Sequence, residues 1–228
     1  MLVKSRREED HLKDLKETFD TLRSYNMKLN PGKCAFEVTV GKFLGFMVSQ
    51  RGIEANPDKI RAIMEMKPPK NVKEVQSLNG KVAALNRFVS RATDKCLPFF
   101  GTLKKSFEWT DECHQAFEEL KAYLSTPLLL SPSQPSEELF LYLVVSPAAV
   151  SAALIREEER VQKPVYYASR ALREAEERYP PMEKLAFALV TAACKLKSYF
   201  QGHTIIVLTD KPLRRAMSNP DTVGRLAL

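Results

Sequence analysis

The sequence is poor in the residues that staple small proteins together. Four cysteines (Cys34, Cys96, Cys113 and Cys194) are scattered over 228 residues with no paired spacing. That pattern excludes a disulfide framework and a zinc knuckle, and it suits a reducing, intracellular compartment, cytoplasmic or nuclear. Of only three histidines, just His114 adjoins a cysteine, so no structural metal site is expected. No apolar run approaches the ~20 residues of a membrane helix. The opening MLVKSRREED turns charged at once and lacks the apolar stretch of a signal peptide. What remains is 44% apolar, enough for one or two buried cores and too apolar for a disordered chain.

Charge is the first positive feature. Lys and Arg number 35 against 28 Asp and Glu, a net of +7. The excess sits in one place: residues 51–105 hold 12 basic and 5 acidic side chains, and the rest of the chain balances. A basic segment between neutral ones points to a polyanion such as nucleic acid, although charge alone reads equally as a solvated face.

Hydrophobic spacing predicts the elements. Leu12, Leu15, Phe19 and Leu22 recur at three and four residues, an amphipathic helix over 6–25 that ends at the NMKLNPG turn. Two β-rich runs, 34–40 and 42–49, come next and are expected to meet in a hairpin at Gly41. Pro57 opens a helix that the prolines at 68 and 69 stop. Val75, Leu78, Val82, Leu85 and Val89 predict a second helix over 72–90, and Thr110 is placed to cap another. The stretch SPSQPSE at 131–137 reads as a boundary. Beyond it come a continuously apolar strand at 139–145, hairpin neighbours at 151–155 and 164–168, a long helix over 181–200, and a strand at 204–209 with Asp210 at its end. Met1–Ser5 reads as a further strand.

These residues carry a resemblance. Leu29–Phe36 (LNPGKCAF), then Phe43–Ser49 (FLGFMVS) and Gly52-Ile53, resemble the end of the reverse transcriptase palm in gypsy-class LTR retrotransposons. Phe107–Thr110 (FEWT), Ala116-Phe117 and Leu120-Lys121 resemble the connecting region of the same polyproteins. Tyr167–Arg170 (YASR), Tyr199, Gly202 and Thr209-Asp210 resemble their ribonuclease H-like domain, in wording most like that of plant elements. The resemblance implies an α+β chain: a remnant palm hairpin with a helical thumb/connection, followed by an incomplete ribonuclease H-like mixed α/β sheet. Its parts are the C-terminal palm with the primer-grip hairpin at 1–54, the thumb/connection at 55–130, a linker at 131–137 and a truncated, degenerate ribonuclease H-like domain at 138–228.

The same resemblance sets expectations for chemistry. Family polymerases hold Mg²⁺ on two aspartates in a hairpin whose second strand corresponds to Met1–Ser5, and no residue here supplies that pair. Asp10 and Asp14 lie on the polar face of a charged helix. In the ribonuclease H-like part, the first-strand aspartate position falls on Val144 and the helix glutamate position on Leu185, leaving Asp210 alone. Glu183, two residues before Leu185, lies about 200° around a helix from it. One carboxylate cannot position two hard dications, so no metal or cofactor is expected in this chain, whereas the active family uses Mg²⁺. Val144 and Leu185 are expected to close the former pocket as core, and Asp210 to cap a helix over 211–217.

Binding is the chemistry left. The resemblance places Phe43, Leu44, Gly45 and Phe46 in a primer grip and Lys33 near an incoming triphosphate. It makes Lys73, Lys81 and Arg87 the phosphate contacts on the thumb, with Lys59, Arg61 and Arg91 as further candidates. Expected partners are an RNA–DNA or DNA primer–template duplex, bound without reading sequence, and the N-terminal palm and fingers of the polyprotein, with no membrane. A working Mg²⁺-dependent ribonuclease H and an inert decayed fragment are the alternatives.

Overall fold

The structure, a computed structural model, describes residues 3, 5, 7–36, 38, 40–49, 51–104 and 107–214. It divides into two units, Met1–Gln50 and Arg51–Leu228. In the first, α1 (His11–Ser24) follows the predicted spacing but buries none of its side chains. Phe19 meets Phe36 edge-on at 6.3 Å. Asn30 then opens a single 3-10 turn by accepting a hydrogen bond from the Gly32 amide.

The next hairpin differs from the expected one. β1 (Gly41–Phe43) and β2 (Phe46–Ser49) pair antiparallel, with Phe43 opposite Phe46. The turn is therefore Leu44-Gly45, not Gly41. Both turn residues have positive φ, 48° and 80°, as a two-residue turn matched to strand twist requires. Cys34–Phe36 and Val38 are not in a strand. The strand expected at Met1–Ser5 lies largely outside the described residues.

The second unit begins with a helical layer. It runs through β3 (Gly52–Ala55), α2 (Pro57–Met64), α3 (Val72–Ala83), α4 (Ala92–Lys104), α5 (Asp111–Leu124) and β4 (Leu129–Leu130). Side chains cap its helices, at Thr110 as the sequence predicts and at two asparagines besides. Asn56 accepts from the Asp58 amide, Asn71 from the Glu74 amide, and Thr110 from the Cys113 amide. The Glu74 carboxylate answers by accepting from the Lys70 amide and the Asn71 side chain, which ties the KPPKN turn to α3. Ile63, Leu78, Phe88, Phe99, Phe117 and Leu120 fill the core of this layer, and Trp109 stacks on Phe99 at 5.7 Å. The helix expected over 72–90 stops at Ala83. Leu85 and Val89 keep their burial from the turns beyond it. α4, with Pro98 in its interior, was not anticipated.

The layer's two ends meet. β3 and β4 pair antiparallel, Ile53 opposite Leu130. Gly52 sits at φ 140° with Leu130 O only 2.1 Å from where a Cβ would stand, so no larger residue fits there.

Beyond 137 the chain forms a four-stranded sheet in the order β7-β6-β5-β8. Its strands are β5 (Glu138–Val145), β6 (Ala149–Glu158), β7 (Val161–Ala171) and β8 (Thr204–Leu208). The first three are antiparallel, and β8 runs parallel to β5. α6 (Pro181–Lys195) and α7 (Lys197–Gly202) replace the single helix expected over 181–200, the break falling at Leu196 with φ −105° and ψ 23°. Leu139 and Leu141 on β5, Ala152 and Leu154 on β6 and Ala168 on β7 share the face that packs on Ala192 and Leu196. The stretch expected as a linker, 131–137, is stitched to this sheet. The Ser131 amide donates to Pro164 O at 2.7 Å, and Arg156 Nε donates to the Glu137 carboxylate at 3.1 Å. Among the described residues no helix is long and apolar enough to cross a membrane.

Burial separates the cysteines. Cys194 is exposed, whereas Cys96 and Cys113 are buried, and burial pushes the Cys96 thiol up to about 12. Native protein at pH 8 should therefore show fast labelling of Cys194 by a thiol reagent, with Cys96 and Cys113 modified only in denaturant. Because the folded-state value is raised, Cys96's contribution to stability is complete below about pH 9 and is lost between there and pH 12. Mass-spectrometric mapping of the label, and urea midpoints at pH 8 and 10.5, check both statements.

Candidate nucleic-acid interface and carboxylate site

The hairpin tip projects. Leu44 is 79% exposed and holds a left-handed backbone that leucine rarely adopts, while Phe43 and Phe46 behind it are half-buried. Lys33 is exposed on its 3-10 turn.

On the helical layer the three chosen cations separate. Lys73 is exposed on the first turn of α3. Lys81 turns inward: its Nζ donates to Ala62 O at 3.1 Å and lies beside Met66 Sδ. Lys121 of α5 reaches the same place, donating to Met66 O at 2.9 Å. Lys81 thus serves a last-turn carbonyl of α2 and Lys121 a carbonyl just beyond its end, and their charge matches the negative end of the helix dipole. Arg87 also departs from its expected role. Its guanidinium lies over the Tyr166 ring at 4.8 Å, and its carbonyl accepts the Tyr167 amide at 3.1 Å. Of the further candidates, Arg61 approaches Asp58 at 4.0 Å and Arg91 pairs with Asp94 at 3.0 Å.

The three carboxylate positions do not converge as a core. Leu185 is 7% exposed and packs with Ala186, Leu213, Leu143 and Val145. Val144, between those two β5 residues, points to the opposite face and is 39% exposed. The expectation that Val144 and Leu185 close one pocket therefore fails, because strand alternation divides them. Asp210 is 83% exposed and pairs with Lys211 at 3.4 Å. The hydroxyl that accepts a backbone amide at this turn is Thr209's, from Lys211, not the Asp210 side chain expected to cap. Residues 215–217 of the helix expected over 211–217 lie outside the described residues. Among the described residues no three His, Cys, Asp or Glu side chains are grouped to hold a metal ion. Val144, Leu185 and Asp210 as placed do not make up the acidic ligand set of a two-magnesium centre.

Sequence reasoning missed a different polar cluster. Ser169, on the Val144 face of the sheet, donates to Asn86 Oδ1 at 2.9 Å and accepts from both the amide and the hydroxyl of Thr93. Ser146 donates to the Asp94 carboxylate at 2.7 Å. Lys195 donates to Ser169 O at 2.9 Å, its amine held below the usual lysine value by burial and by the Arg170 charge. Lys184, 8% exposed, donates to Pro147 O at 2.9 Å. The available signal was a serine within an apolar strand, at the YASR motif.

With this geometry in place, similarity to known proteins has a structural meaning. Residues 109–207 match the family described as the RNase H-like domain found in reverse transcriptase. The chain resembles the Transposon Tf2-3 and Tf2-4 polyproteins of Schizosaccharomyces pombe (strain 972), 27% identical over 99% of its length. It spans 17% of the length of those polyproteins. Among solved structures it superposes on a foamy viral protease-reverse transcriptase in complex with RNA/DNA hybrid. The TM-score is 0.78 at 22% identity, over 96% of this chain and 30% of that one. For the same enzyme in complex with dsDNA the TM-score is 0.72 at 23% identity, over 92% and 45% of the two chains. The architecture is thus the mixed α+β fold seen in that viral reverse transcriptase, and residues 109–207 are similar to the RNase H-like domain found in reverse transcriptase.

The inward course of Lys81 is directly testable. Lys81→Ala should lower stability by about 1 kcal/mol, the usual worth of one such hydrogen bond. Lys73→Ala should stay within roughly 0.5 kcal/mol, as for an exposed site. Urea unfolding followed by circular dichroism gives both values.

Proposed function

We propose that this chain is the non-catalytic, duplex-carrying part of a retrotransposon reverse transcriptase polyprotein of the gypsy class, plant-type in its last domain. Residues 1–54 are the palm end with the primer grip, 55–130 the thumb and connection, 131–137 a linker, and 138–228 a ribonuclease H-like domain without nuclease activity. It binds RNA–DNA or DNA primer–template duplex through phosphates, without reading sequence, in the cytoplasm or nucleus. It needs no Mg²⁺ of its own.

One observation carries this reading. A chain with the fold of a reverse transcriptase has an outward-facing apolar side chain at Val144, a packed Leu185 and a solvent-facing Asp210 at the three positions where the resemblance expects acids. The outward basic residues of the helical layer supply the binding. Lys73 is exposed, and so are Lys67 and Lys70 on the turn before it.

The first unit supports the expected protein partner. None of its described residues is buried, and Leu12, Tyr25, Met27, Phe36, Val38 and Leu44 are all more than half exposed. Surface of this kind is covered in a functional assembly, and the remaining palm and fingers are the partner whose fold completes it.

The test uses the 228-residue chain and a fluorescent RNA–DNA hybrid. Anisotropy should show binding that weakens with salt, the logarithmic slope falling by about 0.9 for each phosphate neutralised. Lys73→Ala should make that slope shallower by about one unit on any sequence. No cleavage should appear with Mg²⁺. Cleavage abolished by Asp210→Asn would establish a working ribonuclease H instead, and absence of binding at low salt would establish an inert chain.

A further inference from the structure

β7 is an edge strand, so one side of its backbone has no strand to pair with. Groups from the helical layer take that place. Arg87 O accepts the Tyr167 amide at 3.1 Å, and the Ser131 amide, just beyond β4, donates to Pro164 O at 2.7 Å. Side chains complete the contact on both faces of the strand. On one, the Arg87 guanidinium covers the Tyr166 ring. On the other, Ser169 Oγ is saturated by Asn86 and by the two Thr93 donors. Next along, Ser146 fixes Asp94, which also holds Arg91 at a positive φ of 52°. The bonds join residues 76 and 83 positions apart in sequence. Every donor and acceptor just named in the helical layer belongs to the stretch from Asn86 to Asp94, which runs into the first turn of α4, or to the stretch after β4.

We infer that this seam is a rigid joint, with Ser169 as its positioning residue, and that it makes the helical layer and the RNase H-like sheet a single carrier for the duplex. An unpaired strand edge would otherwise leave the two parts free to pivot about the connection at residues 131–137. With the seam closed, phosphate contacts on α2 and α3 and contacts on the sheet act as two linked sites at a fixed spacing. Linked sites bind more tightly than either alone only while their spacing is held. Arg87 thereby strengthens duplex binding without touching the duplex. The effect on binding rests on the proposed function; the rigidity does not.

The test is a distance measurement on the full chain. Spin labels on Cys194 and on a cysteine at position 77 (Ser77→Cys), in a Cys34→Ser background, report α6 against α3, since both sites are exposed. The parent should give one narrow distance distribution. Ser169→Ala should broaden it and weaken binding of a long hybrid roughly tenfold, with little change for a short hybrid that spans the helical layer only. Thr93→Val, which leaves β7 unaltered, should broaden it to a lesser degree and decides the matter if Ser169→Ala does not fold. A distribution as narrow in the variant as in the parent overturns the joint. A narrow parent distribution with no binding of any hybrid overturns the duplex reading alone.

Discussion

Burial of alternate β5 side chains against α6 is the interaction on which the rest of the second unit depends. Leu139 and Leu141 are wholly buried there, and Leu143 joins both that cluster and the one around Leu185. Each fully buried leucine contributes about 1.5–3 kcal/mol. That packing fixes β5 in the middle of its sheet, fixes which neighbouring side chains face the other way, and so decides where Val144 and Ser169 stand. The site is a product of strand parity. Residues of one parity make core, and those of the other make either open surface or the seam with the helical layer.

Much of this was legible. Helix starts were written in Pro57 and in Thr110, whose side chain accepts the Cys113 amide as its place implied, whereas the caps at Asn56 and Asn71 emerged only in the structure. The core strand at 139–145 declared itself by composition. A hairpin was expected in this stretch, but neither its first strand nor its turn was legible: Cys34–Phe36 and Val38 form no strand, and Leu44, an unlikely residue for a positive φ, does the turning. Helix ends at Ala83 and Leu196 were hidden, since Leu85, Val89 and Tyr199 continue a helical spacing from turns or from a second helix. Periodicity reports burial, and burial survives the end of a helix.

The candidate site was less legible than the fold for a related reason. A lysine or arginine in a basic segment looks like a phosphate ligand whatever it touches. Lys81 and Arg87 differ from Lys73 only in where their heads go, one to a helix carbonyl and one onto an aromatic ring. Partners that lie 19 residues away along the chain, as Ala62 does from Lys81, leave no mark on the local pattern. The pairing of Val144 with Leu185 failed because positions aligned to a motif say nothing about which side of a strand each occupies.

The contact between Gly52 and Leu130 O has a wider consequence. Since β3 and β4 lie side by side, the roughly 75 residues between them leave and re-enter the fold at nearly one point, like an insertion into a loop. Such an excursion can lengthen, shorten or exchange its helices during evolution without displacing the segments on either side of it. The site least free to vary is the small gap at its neck, where a single methyl group would force the two strands apart.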